Sequence, residues 1–412
     1  MRVLIAHNHY QRPGGEDSVV ENETLLLKAM GHEVETFMVS NDEIVGFRNK
    51  IKAAVKVLDD PAITASFDQR IRDFIPQVVH FHNFFPRLTG AVKRSLDRRI
   101  PTLHTLHNYR LICAEGSFHR HGTSCVSCVG SSLRLPAIQH GCYRGSRVGT
   151  FFVGRVGRAY QRLFLSHERY LTPIALTEFA RKQMMRDGYD PTRIAVKGNF
   201  APDLGLGEFA REKRILFIGR LTRQKGVDHL LRVARKVDAE FEIIGDGPDR
   251  QDLSQGAPPN VVFQGWLDRE AVIERIKRAA ALAIPSRSCE GFPMVIPEAF
   301  STGTPVFASY QEPLNELIEN EHSGMLLPVD DEAAWVAGLH RVIDDTAFGR
   351  RLGNVARGIY EEKYSPAQNG KRLVAIYEDA IARASMDELY RATDLAMPAS
   401  VGSERRECNS RL

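Results

Sequence analysis

The sequence predicts an α/β protein made of two doubly wound parallel-sheet domains that face each other across a cleft. Short apolar strands alternate with helix-like segments along most of the chain, which is typical of parallel sheets. The alternation stops in residues 201–213, which contain proline, glycine and charge but little apolar periodicity, and it restarts at Arg214. Such a segment suits a hinge, so we place the domain boundary near residues 200–212. A ligand cleft between the domains follows from this arrangement.

The first half opens with a strand, a loop and a helix. Residues 3–6 form a short apolar strand pattern, a polar loop with Gly14 and Gly15 follows, and residues 19–32 have a helical pattern. The further segments of this half are strands at 34–39, 78–83 and 101–107 and a helix at 88–99.

The second half begins with a strand that enters a glycine-bounded loop at residues 214–226, followed by a helix at 227–237. Its other predicted elements are strands at 241–245, 261–265, 281–285, 305–309 and 324–328 and a helix at 269–280. The predicted division of the chain is a first domain at 1–204, a second at 205–365, a helix at 366–396 and a loose tail at 397–412.

Composition restricts the functional class. Hydrophobic residues make up 43% and charged residues 26% of the 412 residues, which argues against disorder and collagen-like repeats. The 55 basic and 51 acidic side chains leave a net charge of only +4, so charge gives no reason to expect a nucleic-acid partner. Since no apolar run approaches the ~20 residues of a membrane span, we expect a cytoplasmic protein.

Two glutamates lie on either side of a predicted helix start. Glu290 and Glu298 are separated by seven residues around a Gly-Phe-Pro turn. A helix start presents free N–H groups that can frame a phosphate, and the carboxylates can hold sugar hydroxyls. The alternative is that both glutamates are solvated charges at a helix end. The residues that frame this anion site are Phe292, Pro293, Met294 and Val295.

A basic loop follows the first strand of the second domain. Gly219 ends the strand, and Arg220 and Lys225 lie five positions apart in the loop. Two cations at the carboxyl end of a strand suit a diphosphate, although a basic loop by itself is more often simply solvated.

Together and in this order, these segments strongly resemble the family-4 retaining glycosyltransferases of GT-B fold. The match also includes Gly14-Gly15, the Thr-Leu-His-Asn-Tyr-Arg segment at 105–110, and the glycine-containing segments 243–248 and 261–265. The resemblance implies that Arg220 and Lys225 contact the diphosphate of a nucleotide-sugar, Glu298 the ribose and Glu290 the donor sugar. It places acceptor contacts in the first domain near Gly14, Gly15 and His107, gives His107 an orienting role close to the donor sugar, and requires no metal for catalysis. It also implies that helix 366–396 crosses back to the first domain.

The predicted function is retaining transfer of a sugar from a nucleotide donor to a carbohydrate or lipid-linked acceptor, in surface polysaccharide or glycolipid synthesis by resemblance only. The alternatives are a sugar-nucleotide epimerase or phosphorylase on the same scaffold and a non-catalytic sugar-nucleotide-binding subunit. A degenerate subunit should have lost members of the motif set, whereas Arg220, Lys225, Glu290 and Glu298 are all present.

Four cysteines cluster in a loop-rich insertion at about 108–145. They are Cys113, Cys125, Cys128 and Cys142. The Cys125-x-x-Cys128 pair suits one tetrahedral ion, so we predict a structural zinc site that braces the acceptor side. Reduced thiols, a redox dithiol, or replacement of one thiolate by His119, His121 or His140 remain open. These cysteines also point to a subgroup of the family that carries an insertion.

Residues 116–167 contain seven arginines and no acidic residue. The helical stretch 147–167 mixes arginines with large apolar residues, as an interfacial helix on an anionic membrane does. These apolar residues are Phe151, Phe152, Leu163, Phe164 and Leu165. We therefore expect peripheral contact with the inner face of a membrane. The alternative is a helix that packs on the core with solvated arginines, which Gly149, Gly154 and Gly157 favour because they weaken a free-standing helix.

Overall fold

The computed structural model describes residues 1–10, 14–42, 46, 53–120, 122–131, 134–207 and 210–396, with side chains to residue 386. Within these ranges the chain forms two six-stranded sheets and a small two-stranded hairpin. Every strand pair in the two large sheets is parallel. The predicted fold class is therefore confirmed.

The first domain is one sheet with helices on both faces. Its described elements are β1 (Arg2–His9), α1 (Gly15–Ala29), β2 (Glu33–Ser40), α2 (Pro61–Phe74), β3 (Val78–Phe81), α3 (Thr89–Asp97), β4 (Thr102–Leu106), β5 (His119–Arg120), β6 (Thr123–Ser124), α4 (Leu135–His140), α5 (Arg147–Ser166), β7 (Leu171–Ala175), α6 (Glu178–Arg186) and β8 (Ala195–Val196). The strand order is β2-β1-β3-β4-β7-β8, and β5 and β6 form the separate hairpin.

The second domain repeats this architecture. Its described elements are β9 (Glu212–Ile218), α7 (Val227–Ala234), β10 (Glu240–Ile244), α8 (Arg250–Gln255), β11 (Val261–Gly265), α9 (Arg269–Arg278), β12 (Ala279–Ile284), α10 (Val295–Ser301), β13 (Val306–Ser309), α11 (Leu314–Leu317), β14 (Gly324–Leu327), α12 (Glu332–Asp344), α13 (Thr346–Ile359) and α14 (Pro366–Ala396). The strand order is β11-β10-β9-β12-β13-β14.

Both sheets are buried on both faces, as the continuous apolar runs of their strands predict. Alternate residues of β1 enter different clusters: Leu4 packs with the helices α2 and α3, whereas Ile5 packs on the opposite side. In β9 the same alternation separates Phe217 from Leu216. Each such side chain contributes about 1.5–3 kcal/mol through burial, so the strands hold the loops at their carboxyl ends rigidly.

The helix α14 leaves the second domain and packs on the first. Its residues Leu373, Ile376 and Tyr377 share a buried cluster with Val3 and Ile5 of β1. The last residues, 397–412, including the tail predicted there, lie outside the described residues.

The structure differs from the sequence predictions at the start of α1 and in several elements that those predictions omit. The helix α1 begins at Gly15, four residues before the predicted start, because Gly14 adopts an extended conformation and its amide donates to Asp17 Oδ2 at 2.8 Å. The strands β7 and β8 were not singled out, although β7 is fully buried. Among the described residues, none of the helices combines the length and apolar character needed to cross a membrane.

Candidate donor and acceptor site

The carboxyl ends of the two sheets meet at an interdomain cleft. The Tyr109 hydroxyl donates to the backbone carbonyl of Glu290 at 2.8 Å, and the Gln224 amide donates to Glu115 Oε1 at 3.1 Å. Gly291 approaches the first domain so closely that a Cβ there would lie 2.3 Å from the carbonyl oxygen of His107. This contact requires glycine, and it brings the Glu290 segment against the end of β4.

Lys225 and Glu290 form an ion pair at this cleft. The lysine Nζ lies 2.7 Å from both carboxylate oxygens of Glu290, and the Ser286 hydroxyl also donates to Glu290 Oε1. The Lys225 side chain is 30% exposed and the Glu290 side chain 11%. The resemblance to the family implies that Lys225 contacts a diphosphate and Glu290 a sugar. The structure adds that the two touch.

The rest of the basic loop is shaped by glycines. Gly226 has a φ of +73°, and a Cβ there would lie 1.9 Å from the carbonyl oxygen of Pro285. Gly219 is hydrogen-bonded to the neighbouring strand β10, and Arg220 follows it with an exposed side chain. The Arg220 guanidinium has no ion pair with any residue in the described ranges, so it is available to an anionic ligand.

Glu298 lies in the first turn of α10, in largely buried surroundings. Burial raises the pKa of this carboxyl to about 7, against the opposing effect of Arg269, whose guanidinium lies 3.8 Å away. Glu298 therefore holds its proton more tightly than an exposed glutamate, and near pH 7 its protonated and ionised forms are both populated.

The residues predicted to frame a phosphate have different environments. Phe292 is buried and its ring packs against Tyr364, so it supports the wall of the cleft. Pro293, Met294 and Val295 are partly buried around the start of α10, and Met294 faces Gly15 of the first domain. A Cβ on Gly15 would lie 3.3 Å from Met294 Cγ, whereas Gly14 has open space around it.

Next to Gly14 and Gly15 lies a polar group that sequence reasoning missed. His7 Nε2 and His9 Nδ1 lie 3.0 and 2.6 Å from Asp17 Oδ1. Burial opposes ionisation of Asp17, but hydrogen bonds from His7, the Gly14 amide and His9 hold its pKa well below the usual value. The His7-x-His9 spacing could have indicated this group, because alternate residues of a strand share a face and the two histidines therefore point to the same side.

Glu16 was also missed. Its Oε1 accepts from Asn108 Nδ2 at 3.2 Å, and burial raises the pKa of its carboxyl to about 7, although Arg110 acts in the opposite direction. Arg110 Nη1 donates to the Tyr10 hydroxyl at 2.9 Å. These side chains form a polar wall in the first domain, next to Gly15.

His107 follows β4 and is half-buried at the cleft. Burial, with the nearby His82, keeps its pKa well below the usual value, so its ring is neutral. Its Nε2 lies 3.0 Å from His82 Nδ1.

The four predicted zinc ligands are free thiols in one region. Cys113 and Cys128 are buried, and burial raises the pKa of the Cys128 thiol to about 11. Among the described residues, the groups of three ligand atoms within 4.8 Å of one another are His7/His9/Asp17 and Glu23/His80/His82, and the cysteines form none. The structure therefore does not assemble a tetrahedral thiolate cage, and structural zinc stays a prediction. His121 lies outside the described residues.

A fifth cysteine, not used in the sequence reasoning, connects this region to the second domain. Cys289 immediately precedes Glu290 and is buried, and its Sγ lies 3.9 Å from Ser124 Oγ of the insertion. The insertion therefore lies directly against the cleft.

The arginine-rich helix α5 has a buried and an exposed face. Val153, Tyr160 and Phe164 pack into the first domain, as the core-packed alternative expects. Val148 and Phe151, 69% and 48% exposed, lie on the outer face. Arg147, Arg155 and Arg162 are exposed with them.

Arg134 is one of the seven arginines of residues 116–167, but it is buried, and its guanidinium makes a bidentate ion pair with the Asp187 carboxylate. The expectation that it contributes to an exposed positive surface is therefore wrong.

Comparison with known proteins identifies the family. Residues 205–358 match the model for glycosyl transferases group 1, and residues 14–199 match the glycosyl transferase 4-like domain. The chain therefore belongs to the group 1 glycosyl transferases, with two domains arranged as in the GT-B fold.

Curated relatives match over part of their length. An uncharacterized glycosyltransferase of Methanocaldococcus jannaschii is 35% identical over 45% of this chain and 49% of its own length. A phosphatidyl-myo-inositol mannosyltransferase of Mycolicibacterium smegmatis is 30% identical over 52% of this chain and 58% of its own. The chain thus spans about half the length of these relatives.

Solved structures show the same fold. Anabaena HepE in complex with UDP and glucose has a TM-score of 0.65 at 16% identity, covering 91% of this chain and 98% of HepE. Sucrose-phosphate synthase from Thermosynechococcus elongatus has a TM-score of 0.65 at 18% identity, covering 96% and 100%.

Proposed function

We propose that this protein is a retaining glycosyltransferase that moves a sugar from a nucleotide-diphosphate-sugar to a carbohydrate or lipid-linked acceptor. The observation that carries the proposal is the Lys225–Glu290 pair at the interdomain cleft, in a chain of this family. HepE, of the same fold, holds UDP and glucose, and the mycobacterial relative is named for mannosyl transfer to phosphatidyl-myo-inositol.

The ion pair explains how donor binding prepares the site. A diphosphate that approaches Lys225 and the exposed Arg220 offers a more highly charged partner than Glu290. The lysine then turns toward the phosphate, and the Glu290 oxygens become free to accept hydrogen bonds from sugar hydroxyls. Glu298 accepts hydrogen bonds from the ribose, and its ionised form is the better acceptor.

The chemical step needs positioning and charge stabilisation. The acceptor hydroxyl oxygen bonds to the anomeric carbon on the face from which the diphosphate leaves, the carbon–oxygen bond to phosphate breaks, and its electron pair stays on the phosphate. Because the new bond forms on the face from which the diphosphate leaves, the configuration is retained. The departing phosphate oxygen takes the acceptor proton. Lys225 and Arg220 stabilise the leaving charge, and catalysis requires no further cofactor in this proposal.

The acceptor side faces a lipid surface in this proposal. The outer face of α5 combines exposed arginines with exposed Val148 and Phe151, which suits an anionic bilayer. A Campylobacter relative is named for transfer to an undecaprenol-linked glycan. Surface polysaccharide or glycolipid synthesis at the cytoplasmic face of a membrane is the setting we propose.

The test is mass-spectrometric detection of nucleoside diphosphate released from UDP-, GDP-, TDP- and ADP-sugars. We expect release from one donor, lost in Glu290→Ala and kept in the matched control Glu270→Ala, whose side chain is exposed on α9. No release from any donor when carbohydrate and lipid-linked acceptors are supplied would contradict the proposal.

A further inference from the structure

Two histidines and an aspartate converge where β1 meets α1. His7 and His9 lie on one face of β1, and Asp17 lies in the first turn of α1. His7 Nε2 and His9 Nδ1 lie 3.0 and 2.6 Å from the same oxygen atom, Asp17 Oδ1. All three atoms lie within 4.8 Å of one another. Two imidazole nitrogens and one carboxylate oxygen are ligands that Zn²⁺ accepts.

The spacing of these atoms suits a single ion. Tetrahedral zinc with bonds of about 2.0–2.1 Å places its ligand atoms about 3.4 Å apart, so side-chain shifts of about 1 Å or less would seat an ion among them. The two imidazole rings stand at 86° to each other with centroids 4.7 Å apart. They therefore do not stack, and one nitrogen of each ring meets the carboxylate.

The Asp17 carboxylate is already oriented for such a role. Its second oxygen, Oδ2, accepts a hydrogen bond from the Gly14 amide at 2.8 Å, which leaves Oδ1 to the imidazoles. Hydrogen bonds to the far side of a ligating group fix its direction and strengthen metal sites. The His7 side chain is fully buried and that of Asp17 is 17% exposed, whereas His9 is 40% exposed. Solvent can therefore reach a fourth coordination position on the His9 side.

The charge around Asp17 separates this group from a similar one in the same domain. In the group of Glu23, His80 and His82, Lys197 Nζ lies 2.7 Å from Glu23 Oε1 and supplies a cation. Asp17 makes no ion pair with a lysine or an arginine in the part of the chain that the structure describes. A metal ion would supply here the positive charge that Lys197 supplies in the other group.

His7 can present a lone pair to the ion. Burial lowers its pKa, so its ring is neutral near pH 7. Its other nitrogen, Nδ1, has no hydrogen-bond partner within the described ranges, so no second contact there holds the ring proton on Nε2. With an ion on Nε2 the proton resides on Nδ1, where it lacks an acceptor. We therefore expect weaker zinc binding than at a closed four-ligand site.

We propose that His7, His9 and Asp17 form a zinc-binding site whose fourth ligand is a water molecule. The ion ties the end of β1 to the first turn of α1, across the loop that carries Gly14 and Gly15. It takes no part in sugar transfer, so the site is separate from the proposed function. The competing explanation is that the three side chains only hydrogen-bond to one another.

The test is the zinc content of the purified full chain, measured by elemental mass spectrometry after equilibrium dialysis over a range of buffered free Zn²⁺. The proteins are the wild type, His9→Ala, Asp17→Asn and the matched control His322→Ala, which removes an exposed histidine of the second domain. All four proteins contain the same cysteines, so any zinc that the thiols hold cancels in the comparison.

We expect the wild type and His322→Ala to hold one zinc ion more than His9→Ala and Asp17→Asn. Loss of a ligand should weaken zinc binding at least about 100-fold, because loss of an outer hydrogen-bond partner alone costs about 10- to 100-fold. With Co²⁺ as the probe, the difference spectrum between the wild type and His9→Ala should show ligand-field bands and no thiolate charge-transfer band.

Equal zinc content and affinity in the wild type and folded His9→Ala would overturn the inference, as would an equal loss in His322→Ala or a thiolate band in the difference spectrum. Circular dichroism establishes that each variant is folded, and Asp17→Asn decides the question if His9→Ala is not. Zinc binding needs no nucleotide-sugar, so a failure of the release assay would contradict the proposed function alone.

Discussion

The two domains share an architecture but differ in how the chain brings their polar residues together. In the second domain, Arg220, Lys225 and Gly226 belong to one loop, and Glu290 and Glu298 flank one turn. In the first domain, Glu23, His82 and Lys197 come from three distant segments and meet in the core. The cleft residues of the second domain thus come from local motifs, whereas the buried polar cluster of the first domain depends on long-range contacts.

The largest expected effect on stability comes from the buried Glu23–Lys197 ion pair of the first domain. Glu23→Met alone leaves the Lys197 charge buried beside Asn369 without its carboxylate, so it should lower the free energy of unfolding by about 3–5 kcal/mol. The double variant with Lys197→Met should recover most of that loss. Urea unfolding measures both, and equal stabilities of the single and double variants would contradict the pairing.

This contrast explains which parts of the fold and of the candidate site could be predicted from the sequence. The parallel sheets followed from apolar strands alternating with helices. The candidate site residues of the second domain followed from short spacings within one loop and around one helix start. The buried cluster of Glu23, His82 and Lys197 did not, because its members are separated by 59 and 115 positions and Glu23 lies in an ordinary helical pattern. The short strand β8 was also missed, since two residues give no periodicity.

The next effect concerns Glu298 and pH. Its pKa is about 7 in the folded protein, above the ordinary value of 4.5, so the folded state holds the proton more tightly than the unfolded chain. The protein should therefore lose on the order of 3 kcal/mol of stability from this group as pH rises from 4.5 through 7.

Glu298→Gln should lack this contribution. Denaturant unfolding of both proteins at pH 5 and pH 8 isolates it, because every other group, including Glu16, is common to the two. A stability difference between wild type and variant that stayed constant with pH would count against a buried Glu298.

A smaller effect separates the glycines of the two loops. Gly226→Ala places a Cβ against Pro285 at a positive φ, so we expect a loss of more than about 2 kcal/mol. Gly14→Ala meets open space in extended backbone and should cost less than about 0.5 kcal/mol. Thermal unfolding compares them, and similar melting temperatures would argue against the tight packing of the donor loop.

The smallest effect concerns the outer face of α5. Replacing Arg155 and Arg162 by glutamate should weaken binding to anionic vesicles, because each basic residue near such a surface contributes about 1 kcal/mol. The matched control, Lys371→Glu with Arg372→Glu on the exposed side of α14, makes the same charge change elsewhere. Equal flotation of both variants with anionic vesicles would contradict the proposed membrane contact of α5.

Lys225 and Glu290 have separate roles in the proposed site, and calorimetric titration of UDP, GDP, TDP and ADP tests this division most directly. The three proteins to compare are the wild type, Lys225→Ala and Glu290→Ala. For the nucleotide that the wild type binds, Lys225→Ala should weaken affinity at least about tenfold, since a charge-assisted contact to the diphosphate is lost. Glu290→Ala should bind that nucleotide at least as tightly as the wild type, because its lysine no longer has a competing partner. Equal affinity in all three proteins, or a loss confined to Glu290→Ala, would contradict the donor site described above.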